Sequence, residues 1–154
     1  MPTAATMFEN VEYGGRAFDV NDGDNIPLIP PPLGGNASSL YVYGPHWVTF
    51  WESPFYNAGD DQLWVAPPPA GQYWLFHNLH EFYRPHGNNH WGDRIKCVSF
   101  SGEPTGDNDN RTIVHSDGSV TNGNSFRVSA EGVWTFLGSK KAGLAVTLRA
   151  LDKK

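Results

Sequence analysis

Apolar and polar positions alternate in short runs along most of the chain, and nowhere do apolar residues recur at the three-and-four spacing of an amphipathic helix. Met7 to Val20 reads as two short strands about a turn. Phe8 and Val11 flank Glu9-Asn10, Tyr13-Gly14-Gly15 follows, and Ala17-Phe18-Asp19-Val20 alternates in polarity. Asn21 to Asn25 is turn chemistry, and the proline-rich Ile26 to Leu33 cannot donate a regular ladder, so an ordered crossing loop is expected there. Ser39 to Tyr43 and Trp47 to Trp51, aromatic and β-branched, are the clearest strands; the turn Gly44-Pro45 between them predicts a hairpin. Gln62 to Val65 offers another strand before Pro67-Pro68-Pro69. One helical turn is expected around Tyr73 to Phe76 or Leu79 to Tyr83, and Arg94 to Phe100 returns to strand. Further strands are predicted at Thr112 to Val114, Ser125 to Val128, Val133 to Phe136 and Leu144 to Leu151, divided by Asp117-Gly118, Asn122-Gly123 and Glu131-Gly132.

This pattern makes the chain all-β. The 17 glycines and 12 prolines fit that reading, and 154 residues allow one well-buried core with or without an appended subdomain. A net charge of −5 would repel a phosphate backbone, so no nucleic-acid partner is expected. No apolar run reaches the ~18 residues of a membrane helix, and Met1 to Met7 lacks the basic start and apolar centre of a secretory leader. A soluble, cytoplasmic protein is therefore expected, with secretion by another route still open. The single Cys97 lies among Ile95, Val98 and Phe100 and is expected to be a buried thiol.

One local pattern is more specific. Phe8-Glu9-Asn10-Val11-Glu12-Tyr13-Gly14-Gly15 has the form aromatic, four residues, aromatic, one residue, glycine, and Asn36-Ala37-Ser38-Ser39-Leu40-Tyr41-Val42 follows downstream. This resembles the Greek-key motif of the βγ-crystallin family. The resemblance implies that the two aromatics close a folded hairpin, that the glycine permits its tight backbone, and that the Ser-Ser strand completes a four-stranded unit. A weaker copy runs from Val48 to Gly59, with Trp51 and Tyr56 keeping the aromatic spacing and Ala58 where the glycine is due; Asp93 to Phe100 would be its closing strand. Two motifs make one domain, so residues 7–101 are expected to form it, a Greek-key sandwich, and residues 102–154 to be a β extension packed on or completing the sandwich.

Many family members bind calcium through a stretch of the form (Asn/Asp)-(Asn/Asp)-x-x-(Ser/Thr)-Ser, whose oxygens suit a hard cation. Gly34-Gly35-Asn36-Ala37-Ser38-Ser39 keeps the Ser38 hydroxyl and loses both leading ligands; Gly92-Asp93-Arg94-Ile95-Lys96-Cys97 keeps Asp93 and puts Lys96 where the hydroxyl belongs. An ammonium has no lone pair and repels a cation. The resemblance thus implies weak or vestigial Ca2+ binding, with Ser38, Asp93 and an oxygen near Asp60 or Asp61 as candidate ligands.

Two other features carry chemistry. His77, His80, His86 and His90 lie within fourteen residues and would serve a metal-dependent β-barrel enzyme, although their spacing matches no helical or cupin pair. Tyr73, Trp74 and Trp91 lie in or beside the same stretch, and six tryptophans exceed what one small core needs, so an exposed aromatic surface for a protein or glycan partner is a second reading. The sequence shows no organised nucleophile or phosphate loop, which favours a non-enzymatic structural or stress-related role. A toxin-like or inhibitor effector on the same scaffold, acting through the aromatic and histidine loop, stays open beside it.

Overall fold

The computed structural model describes residues 3–56, 60–68, 72–76, 79–81, 91–100, 102–104, 110–116, 120–121, 125–128, 134–137 and 146–150; beyond residue 116 it describes backbone pairing only. Period-two alternation builds each strand. Ala5 and Met7 of β1 (Thr3–Phe8) are buried in the core, whereas Thr6 and Phe8 face outward. β2 (Ala17–Asn21) and β3 (Ser39–Val42) pair antiparallel on either side of it. β4 (Val48–Trp51) is flanked by β5 (Gln62–Val65) and β7 (Cys97–Ser99), again antiparallel. These two groups belong to the two sheets that enclose the core.

The halves are interlocked. β6 (Gln72–Phe76) follows β5 in the chain yet leaves that sheet and pairs with β3, Leu40 opposite Phe76 and Val42 opposite Trp74. In return Ile26 of the first half bridges Val98: the Ile26 N–H donates to the Val98 carbonyl at 2.8 Å and the Val98 N–H returns the bond at 3.0 Å. The Ile29 N–H then donates to the Lys96 carbonyl at 2.9 Å. The proline-rich segment is therefore more than a crossing loop. Pro27 and Pro30 have no N–H to give, but Ile26 and Ile29 supply the donors that seat the segment on the second sheet.

Among the described residues the first sheet runs β12-β6-β3-β1-β2 and the second β7-β4-β5-β8-β9, with β10 and β11 as a separate antiparallel pair. Here β8 is Arg111–Val114, β9 Val120–Thr121, β10 Ser125–Val128, β11 Trp134–Leu137 and β12 Val146–Ala150. The strands expected in the last fifty residues are thus present, β8 lying parallel to β5 and β12 antiparallel to β6. One expectation needs correction, and of the two places expected for a helical turn the structure takes the second. β3 and β4 do not form a hairpin, because each packs into a different sheet and Gly44-Pro45 merely carries the chain across. Tyr73 to Phe76 is strand β6, and the helical turn is a single 3-10 turn at Leu79–Glu81.

Between the sheets, Met7, Leu40, Phe50, Leu63, Trp74, Phe76, Leu79, Trp91, Ile95 and Val98 are wholly buried. Trp74 and Trp91 are thus core residues and not a binding surface. The Trp74 indole N–H is satisfied by the Ala66 carbonyl at 2.9 Å, while that of Trp91 finds no acceptor among the described residues. The outer face of the second sheet is buried as well: the Trp51 N–H donates to Ser99 Oγ and the Trp64 N–H to Gln62 Oε1, each at 2.9 Å. Among the described residues, no helix is long and apolar enough to cross a membrane.

Candidate cation site

Each half opens with a folded hairpin. In the first, Phe8 and Tyr13 meet edge to face at 5.6 Å, and Glu12 and Tyr13 both take left-handed backbone angles, φ 54° and 64°. Gly15, at φ 78°, lies so close to Asn10 that an added Cβ would sit 2.9 Å from its amide nitrogen. Ser39 ties the turn shut: its hydroxyl donates to the Asn10 carbonyl at 2.6 Å and accepts from the Tyr13 N–H at 3.0 Å.

In the second hairpin Trp51 and Tyr56 repeat the ring pair at 5.9 Å, and Phe55 and Tyr56 repeat the left-handed pair at φ 60° and 57°. Cys97 stands where Ser39 stood, its thiol receiving the N–H groups of Tyr56 and Phe55. Burial pushes the thiol pKa up, against the opposing effect of those two donors. The glycine position of this copy, Ala58, lies outside the described residues. Two folded hairpins, each tied to its closing strand, with the third segments exchanged, make up the pair of Greek keys that the motif residues implied. The fold resembles the double Greek key of the βγ-crystallins.

No protein-family model matches the chain, and no curated protein matches it. Among solved structures it is similar to a βγ-crystallin from an archaeon, at 16% identity and a TM-score of 0.38, over 66% of this chain and 100% of that one.

The two stretches in which the resemblance implies calcium ligands face each other as matched cradles. The Gly35 N–H donates to the Ile95 carbonyl at 2.8 Å, and in the mirror bond the Asp93 N–H donates to the Ala37 carbonyl at 2.9 Å. Ser38 N–H bonds the Phe8 carbonyl and Lys96 N–H the Trp51 carbonyl, both at 2.9 Å. Gly35 and Asp93 share left-handed angles, φ 78° and 59°. With the backbone equivalent, only the side chains distinguish the two sites.

One cradle holds Ser38 and Asp93. The Ser38 hydroxyl is 3.3 Å from Asp93 Oδ1 and 3.0 Å from Nε2 of His80, which lies 4.0 Å from Asp93 Oδ2. The other cradle holds Gly35 and Lys96, the lysine stem lying across the glycine so that a Cβ there would be 3.5 Å from the Lys96 Cε. Calcium takes about six to eight oxygen ligands. The Gly35 cradle offers no side-chain oxygen at these two positions and carries a fixed positive charge, so it does not fit the ion. The Ser38 cradle offers the Ser38 hydroxyl and the two Asp93 carboxylate oxygens, and the His80 imidazole engages the hydroxyl.

Asp93, not Asp60 or Asp61, is the carboxylate beside Ser38. The latter two serve the second hairpin, where Ser53 donates to the Asp60 carboxylate and the Glu52 N–H donates to the Asp61 carbonyl at 3.0 Å. The sequence offers His80 only as a transition-metal ligand; its partnership with Ser38, 42 residues away, is made by the fold. His77, His86 and His90 lie outside the described residues, and among those described no group of three His, Cys, Asp or Glu could hold a metal. Nor does the Ser-His-Asp set form a nucleophile relay. Hydroxyl and carboxylate approach the same ring nitrogen, whereas a relay needs the acid on the opposite one to orient the ring.

Proposed function

We propose that this chain is a non-enzymatic structural protein of βγ-crystallin-like build whose calcium sites are vestigial, each cradle being engaged by the protein's own side chains. The observation that carries this reading is the retention of the cradle backbone alongside loss of the ligands. The main-chain bonds of Ser38 and Asp93 have their counterparts at Lys96 and Gly35, yet lysine and glycine stand where the two ligands were due. A cation that binds only the folded state adds stability by mass action, and a fold without that ligand must draw its stability from packing. The apolar interior, with Trp74, Trp91, Phe50 and Phe76 filling the space between the sheets, supports this.

Thermal melting of metal-stripped protein with and without millimolar calcium tests the proposal. The wild-type midpoint is expected to stay unchanged. The double variant Gly35→Asp with Lys96→Ser is expected to gain a calcium-dependent rise of several degrees, since Asp93 already shows that aspartate accepts the matching backbone angle. A calcium-dependent rise in the wild type that Ser38→Ala abolishes would overturn the vestigial reading.

A further inference from the structure

The outer face of the first sheet is unlike every other surface described. Register places Asp19, Thr6, Tyr41 and Leu75 in one cross-strand row on the face away from the core, Asp19 exposed at one end and Leu75 covered at the other. Tyr41 is its hub, with ring centres at 5.2 Å to Phe8, 4.3 Å to Tyr13, 6.0 Å to Tyr43 and 5.5 Å to Tyr73; Tyr43 and Tyr73 are 5.4 Å apart. All five rings are half-buried and belong to no part of the core between the sheets. Beside them runs an open groove of about 380 Å³ lined by Thr3, Thr6, Asp19 and Tyr43. Its floor is ordered, the Thr6 hydroxyl donating to Asp19 Oδ1 at 2.8 Å.

A row of wet aromatic rings bordered by hydroxyls and one carboxylate is a combination with few matching ligands. A purely apolar partner would leave Asp19 and the threonines desolvated and underpaired. An anionic lipid surface or a sulfated or phosphorylated chain would meet the Asp19 carboxylate on a protein of net charge −5; register puts Arg149 across from Tyr73 at the other end of the face, which makes a sulfated glycan the rival the test must separate. A neutral sugar satisfies both halves of the site. Its C–H faces stack on the rings, and its hydroxyl edges donate to a carboxylate and exchange hydrogen bonds with Thr and Tyr oxygens. Tyrosine suits such a surface because it gives large contact area with little rotamer freedom to lose.

We propose that this tyrosine face and its Asp19 groove form a binding site for a neutral oligosaccharide. The inference stands on the sheet's outer face alone and is independent of the calcium cradles.

Isothermal titration of the full chain with the neutral hexasaccharides of β-glucan, α-glucan, xylan and chitin tests it. Saturable binding of at least one is expected, weakened by about tenfold or more in Tyr73→Ala and in Tyr43→Ala. Asp19→Asn, which keeps shape and removes charge, is expected to weaken binding while leaving the melting midpoint close to wild type, so the test survives misfolding of a tyrosine variant. Phe55→Ala, exposed on the other sheet's hairpin, is expected to bind as wild type. No binding of any of the four at millimolar sugar overturns the proposal. Binding indifferent to Tyr43, Tyr73 and Asp19, or preference for a sulfated glycan, overturns it equally.

Discussion

The two halves of the double Greek key share a backbone and differ in chemistry. The first hairpin is tied by a serine hydroxyl that both donates and accepts; the second is held at the same point by a thiol, a weaker partner on both counts. The cradles differ likewise, Ser38 and Asp93 in one answering to Lys96 and Gly35 in the other. The difference teaches that hairpin and cradle geometry is set by ring pairing, left-handed residues and main-chain bonds between the halves. The polar side chains at the matched positions can then drift without loss of the fold.

The sharpest way to break the correspondence is at its paired glycines. A Cβ on Gly34 would lie 2.1 Å from the Ile29 carbonyl oxygen, a backbone atom that itself belongs to the exchanged segment. Gly34→Ala is expected to cost at least about 3 kcal/mol in denaturant unfolding. At the matching Gly92 a Cβ meets the His80 ring at 2.3 Å, and a side chain can swing aside. Gly92→Ala should therefore cost clearly less, and the displaced ring should release Ser38. Equal costs at the two sites would show that the halves are held alike after all.

The hairpin ties come next. Ser39→Ala leaves the Asn10 carbonyl and the Tyr13 N–H without their partner and is expected to cost about 2 kcal/mol. Cys97→Ser restores the first hairpin's chemistry to the second and should stay within about 1 kcal/mol of wild type. The smallest effect is on the alkaline side. Burial raises the pKa of Cys97 and of Tyr43, so the folded chain holds these protons more tightly than the unfolded chain does. Stability is then complete below pH 9 and drains as pH climbs through that region, because the unfolded state binds fewer protons there. Cys97→Ser should remove the thiol's share and make the decline shallower in pH-dependent melting.

What the sequence displayed was local. The aromatic spacing and glycine of Phe8 to Gly15 encode a turn that ring contact and left-handed angles close within one hairpin, and both hairpins formed as the residues implied. Choices decided at long range were not displayed. Whether Ser39 to Val42 pairs with Val48 to Trp51 depends on which sheet each apolar face can join, and alternation alone cannot say. Trp74 and Trp91 lie in or beside a histidine-rich stretch and still fill the core, because burial follows the sheets they contact and not their neighbours in the chain. Of the aromatic surface expected at Tyr73, Trp74 and Trp91, only Tyr73 is half-exposed; it lies in a face built of Tyr13, Tyr41 and Tyr43 together with Phe8.

The exchange of third segments also governs how the molecule is made. Neither half can complete its own sheet from its own residues, so the first motif has no finished native form until the second has been synthesised and returned its strand. Ties such as Asn25 Oδ1 to the Phe100 N–H close 75 residues of chain in one step. Folding through such non-local pairings is slow, and the same interlock opposes piecemeal opening. A nascent chain that ends before residue 146 leaves β6 without β12, and one that ends before residue 97 also leaves β4 without β7, so partly synthesised chains present unpaired sheet edges open to misassociation.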